Sequence, residues 1–161
     1  MDSIIRWILD SSLNSWITGT HWAWPAFEIL HFVGLSLLLG SMLIIDLRLV
    51  GYLRRMSISA VYAYLPLAAI GFGINLVTGA LFVFGDPERY MMNISFQFKM
   101  LLVLIAGANA LWFACKISPA MSFWSPDGDS SPQAKIIACV SLLSWFGVLL
   151  LGRLIPYVGT G

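Results

Sequence analysis

Charged side chains are scarce in this sequence. They make up 11% of its 161 residues, less than half the share of about 25% usual in soluble domains. That scarcity excludes a soluble enzyme, a disordered chain and a basic nucleic-acid binder, and a net charge of +1 leaves no field to steer a polyanion. Cysteine is also sparse. Cys115 and Cys139 make no disulfide framework, and no CxxC, CxxCH or zinc-finger spacing occurs. No P-loop, GxGxxG unit or Ser/His/Asp set is present, which removes the nucleotide-hydrolysing and nucleophilic-hydrolase classes. The first apolar run is interrupted by Asp10, Ser11 and Ser12, so no cleaved secretory leader is expected and insertion should use the first full span.

Apolar residues are what the chain has, at 59% with a mean hydropathy of +0.85. Four windows reach the ~20 apolar residues a spanning helix needs: 22–47, 60–84, 94–115 and 135–157. Run length and the lack of two-residue alternation predict helices rather than strands. The joints carry matching signals. Pro25 suits a first helical turn, Asn93 can cap the third span, and Ser131-Pro132 can start the fourth. Gly85-Asp86-Pro87 ends the second, and residues 118–131 form a polar, turn-rich loop with Pro126, Asp127, Gly128 and Asp129. Residues 4–17 are too short to span. Ile4, Ile5, Ile8, Leu9, Leu13 and Trp16 share one face, with Asp10 and Asn14 opposite, which predicts an amphipathic helix lying in the interface. The expected fold is therefore all-α, a four-helix transmembrane bundle preceded by an interfacial helix, in a single membrane domain surrounded by lipid.

Arg48, Arg54, Arg55, Lys116 and Lys135 flank the loops after spans one and three. The positive-inside bias puts those loops in the cytoplasm and both termini outside, in the periplasm of a bacterial inner membrane. Trp16, Trp22, Trp24, Tyr90 and Tyr157 would form the outer aromatic belt, and Tyr52, Trp112 and Trp124 the inner one.

Ionisable residues inside spans are costly, so they face the bundle interior and pair. Glu28, His31, Lys99 and Arg153 qualify, with Asn75, Thr78 and Asn109 as uncharged companions. At about 1.5 Å per residue from the window ends, Glu28 and His31 lie about 9 and 14 Å deep, Lys99 about 8 Å, Arg153 about 6 Å and Asn75 about 14 Å. All five fall in the outer half. A 3-4 spacing puts His21, Trp24, Glu28, His31, Leu35, Leu38 and Met42 on one seam, and Trp145 faces inward from span four. Asp46 and Arg48 are expected at the solvated inner rim, and Cys115 and Cys139 as buried thiols.

The cluster has a plain reading, a structural ion pair that fixes helix register, and a sharper one. Glu28-x-x-His31 aligns a carboxylate with an imidazole, so His31 can ligate haem iron with Glu28 orienting it, while Lys99 and Arg153 meet anionic groups. A quinone headgroup can use the same donors. The two histidines, His31 and His21, are the candidate metal ligands. Paired with Met91 or Met92, His21 offers a surface copper site.

His31-x-x-Gly34, Leu47-Arg48, Phe96-x-x-Lys99, the run Phe98 to Leu104 and Asn109 give a pattern. Over spans one to three it loosely resembles the small bacterial inner-membrane proteins related to the CopD and HemJ group, and the overall four-span plan resembles an uncharacterised bacterial family of about this size. HemJ-like proteins imply a bound b-type haem and porphyrinogen oxidation; CopD-like ones imply copper handling. The residues that carry over are His31 and Lys99. The functional expectation is a cofactor-holding or electron-transfer subunit, not an enzyme on its own, in a homo-oligomer or a larger membrane complex. The alternatives are a cofactor-free accessory or assembly subunit and a copper or small-solute transporter.

Overall fold

A computed structural model describes residues 2–121 and 130–158. Trp124, Pro126, Asp127, Gly128 and Asp129 lie outside the described residues. The fold is all-α. Two short helices, α1 (Asp2–Leu9) and α2 (Ser12–Gly19), precede four long ones: α3 (Ala23–Val50), α4 (Ile58–Gly85), α6 (Ile94–Trp112) and α8 (Pro132–Leu154). The short α5 (Pro87–Met91) joins α4 to α6, a π-helical turn (Phe113–Ile117) prolongs α6, and α7 (Ser118–Met121) follows it. Four helices are long and apolar enough to cross a membrane, which makes this a multi-pass membrane protein in contact with lipid.

Local chemistry sets the boundaries. In place of one amphipathic stretch over 4–17 there are two helices, because Ser11 acts as an N-cap, its Oγ accepting from the Asn14 amide at 3.1 Å. α3 runs to Val50 rather than 47 and stops at Gly51, whose φ of 108° is left-handed. α8 starts at Pro132 rather than 135, behind the Ser131 cap, and stops at Leu154 rather than 157, since Pro156 cannot continue it.

Packing runs in the order α4, α3, α8, α6, with α3 pressed closely on α4 and α8 bridging α3 to α6. α3 and α4 cross at two glycines. A Cβ on Gly71 would come 2.5 Å from the Leu38 amide nitrogen and 2.6 Å from the Gly34 carbonyl oxygen, so only hydrogen fits there. Three apolar clusters stack along the bundle. Ile17, Ala23, Phe27 and Phe82 sit at the end that carries α1, α2 and α5, here the capped end. Leu38, Ala68, Ala106, Trp145 and Val148 fill the middle. Ile45, Leu49, Val61, Phe113, Ile117 and Ile137 fill the other end.

Two asparagines tie the capped end together. Asn14, expected on a polar face, is buried, and its Nδ2 donates to the Phe84 carbonyl at 2.8 Å. This satisfies the open end of α4. Asn93 caps α6, with Oδ1 accepting from Ser95 at 2.9 Å and Phe96 at 3.2 Å. Its Nδ2 donates to the carbonyls of Ile155, at 2.9 Å, and Val158, which fastens the end of α8 to the start of α6.

Two expectations are corrected. Asp46 and Arg48 are 2% and 1% exposed, not solvated. Arg48 is drawn inward because its Nε donates to the Met56 carbonyl at 2.7 Å, folding the α3–α4 connection over it. Cys115 and Cys139 are exposed rather than buried, because each projects from the outer side of its helix.

Candidate functional site

The buried stripe of α3 runs through Phe27, Gly34, Leu38, Ser41 and Ile45. It is rotated by about one residue from the predicted seam, and this decides which polar groups meet. His31 stays on the packed side and is half-buried, whereas Glu28 and His21 are exposed.

His31 is held by α4. Its Nδ1 lies 2.7 Å from Thr78 Oγ1, and Phe82 presents its ring at 5.3 Å between centroids. The Thr78 hydroxyl donates to the Ile74 carbonyl one turn back, at 2.7 Å. With that proton committed, Oγ1 serves His31 as an acceptor, so the Nδ1 nitrogen carries hydrogen and the neutral ring keeps its Nε2 lone pair free. Lys99, half-buried on α6, lies within electrostatic reach of the imidazole and packs along Gly152 of α8. Asn75 is one turn below Thr78. Its Nδ2 donates to the Gly71 carbonyl at 2.9 Å, and its Oδ1 is buried with no donor.

The other two charges turn away. Glu28 accepts from Trp24 Nε1 at 3.1 Å, and Arg153 donates to the Tyr157 hydroxyl at 3.2 Å while lying 5.3 Å above the Tyr157 ring. Among the described residues no ion pair joins Glu28 to Lys99 or Arg153. The structural ion pair is thus not the arrangement present. Trp145 is buried in the middle cluster, edge-on to Phe72 at 6.4 Å. No three His, Cys, Asp or Glu side chains converge among the described residues.

The aromatic frame around His31 is not visible as a motif. Trp24, Phe82, Tyr90 and Phe96 form a chain of ring contacts at 5.2, 6.1 and 5.6 Å, linking α3, α4, α5 and α6. Tyr90, assigned by sequence to an interfacial belt, stacks on Phe82 instead. Burial pushes its phenol above the ordinary tyrosine value, against a smaller opposing effect of Arg89, so it stays protonated. The chemistry available at the site is one imidazole lone pair, one ammonium and one orphan amide oxygen, beside an aromatic wall.

No protein family matches the chain, and neither a curated protein nor a solved structure does.

Proposed function

We propose that this chain is an integral-membrane subunit that holds a redox cofactor beside His31, and that the cofactor is a quinone headgroup or a b-type haem. It works with other subunits or copies and is not an enzyme on its own. Its place is a bacterial inner membrane with both termini in the periplasm, since Arg48, Arg54 and Arg55 mark the cytoplasmic end.

The observation that carries the reading is the Thr78 contact. A histidine that binds a ligand characteristically donates its other ring N–H to a fixed acceptor, which sets tautomer and ring orientation. His31 does so on Thr78, with Phe82 packed beside it.

The donor set discriminates between the two cofactors. A haem would be held through His31; the other histidine, His21, lies about 15 Å further along the axis, so any second protein ligand would have to be a methionine or His31 from a second copy. A quinone–quinol headgroup needs a donor to its oxygen in the oxidised form and an acceptor for its hydroxyl proton in the reduced form, and the Lys99 ammonium and the His31 Nε2 lone pair are one of each, so the quinone is the better match. When bound it supplies a reversible transfer of two electrons and two protons. The protein's part is to accept a proton at His31 Nε2, to stabilise negative charge with the Lys99 ammonium and to exclude water with the Phe82 wall.

Solvent extraction and an absorption spectrum of the purified protein test the reading. Extractable quinone that is lost in His31→Ala supports it, and a Soret band lost in the same variant assigns haem instead. A colourless protein with no extractable quinone removes both and leaves the cofactor-free accessory role.

A further inference from the structure

A second polar group within the membrane is placed quite differently. Asp46 lies near the far end of α3, and its Oδ2 is buried without a hydrogen-bond partner. Across the α3–α8 contact the Ser141 hydroxyl, 2% exposed, lies within reach of the Asp46 carboxyl without forming a well-shaped hydrogen bond to it. Both line a cavity of about 260 Å³ between the four long helices, walled by Leu38, Ala106, Phe113 and Trp145. The π-helical turn contributes Phe113 and Ala114 to that wall. Asn109 lines it too, its Nδ2 engaged by the Ile137 carbonyl at 3.0 Å.

The cavity has a side entrance. α4 and α6 make at most marginal contact with each other among the described residues. The lining residues on either side of that gap, Ala69 and Phe72 on α4, Ala110 on α6 and Ala114 in the π-helical turn, are exposed. The opening therefore faces lipid rather than water. Its depth is graded as well. α3 has 28 residues, about 42 Å of helix against a hydrocarbon core of about 30 Å. Asp46, four residues from its end, thus lies at headgroup level, and Trp145 is nearer the midplane.

We propose that this cavity binds a small single-chain amphiphile with a protonated amine head, which enters sideways from the bilayer between α4 and α6. The amine pairs with Asp46 and Ser141, and the chain lies against Ala106 and Trp145. Charge complementarity selects the head, since Asp46 is the one charged residue in the lining. Size selects the tail. The volume falls below the roughly 300–1,000 Å³ of drug-sized sites, which suits one short chain and excludes a diacyl lipid. This site is separate from the one at His31 and does not depend on it.

Decylamine, decanol and decanoate share a chain length and differ in head, so they test the proposal directly. The protein is placed in phosphatidylcholine nanodiscs and each compound is titrated, with binding read by native mass spectrometry. Decylamine should bind at least about tenfold more tightly than decanol, and decanoate should bind least. Asp46→Asn should abolish the preference for the amine. Ala110→Phe, which fills the entrance and leaves the carboxylate intact, should abolish decylamine binding. Equal binding of amine and alcohol by the unaltered protein would overturn the proposal, as would undiminished decylamine binding in Ala110→Phe. The comparison of heads and the Ala110 variant decide the matter even where Asp46→Asn does not fold.

Discussion

Two hydroxyl groups and one amide oxygen settle more of this protein's chemistry than its charges do. Thr78 illustrates the point. Its proton goes to Ile74, so its oxygen fixes His31 in one tautomer. Thr78→Val keeps the shape and removes the acceptor, leaving a buried N–H unpaired. We expect a loss of about 1 kcal/mol in unfolding free energy, measured in detergent by denaturant titration, with Thr78→Ser restoring it. Sequence reasoning picked out His31, Lys99, Asn75 and Thr78 because polar residues inside a span are few. It could not tell that Glu28 and Arg153 turn to Trp24 and Tyr157. A rotation of about one residue in the α3 stripe is enough to move Glu28 out, and depth arithmetic fixes height along a helix but not azimuth. Asp46 was misplaced for a related reason. Position near a span end implies exposure only if the connecting loop leaves the rim open, and Arg48 pulls that loop down.

At the scale of elements, the span windows were legible because hydropathy over ~20 residues needs no tertiary information. The ends were less so. Gly51, Ser11 and Pro156 decide them through backbone preferences that hydropathy ignores. The π-helical turn has no signature in sequence. The α3–α4 crossing makes a sharp prediction. Gly71→Ala inserts a methyl group against backbone, which cannot yield as a flexible side chain would, and should cost about 1–3 kcal/mol. Gly79→Ala, on the same helix with nothing within 4 Å, should be neutral or stabilising by up to ~1 kcal/mol. Denaturant titration of the two variants side by side checks the contrast. Asn93→Ala should be costlier than an ordinary cap loss of about 1 kcal/mol, because it also frees two carbonyls at the end of α8. Its signature is faster proteolysis near residues 155–158.

For the whole molecule, the inserted orientation is open to direct test. In a Cys115→Ala, Cys139→Ala background, Asp10→Cys should react with a membrane-impermeant maleimide added outside intact spheroplasts. Arg55→Cys should react only after permeabilisation, and the reverse pattern would invert the topology. The bundle divides its polar chemistry between two levels, an imidazole and ammonium toward the capped end and a lone carboxyl toward the other. The Gly34–Gly71 crossing and the Leu38 cluster lie between them. Apolar packing thus separates the two polar levels.

The seat at His31 is tested most directly by titrating a short-chain quinone into the purified protein and following tryptophan emission, which Trp24 reports from the adjoining ring cluster. The unaltered protein should show saturable quenching, with affinity falling at least about tenfold in His31→Ala and in Lys99→Met. Unsaturable quenching that is the same in all three proteins would contradict the account.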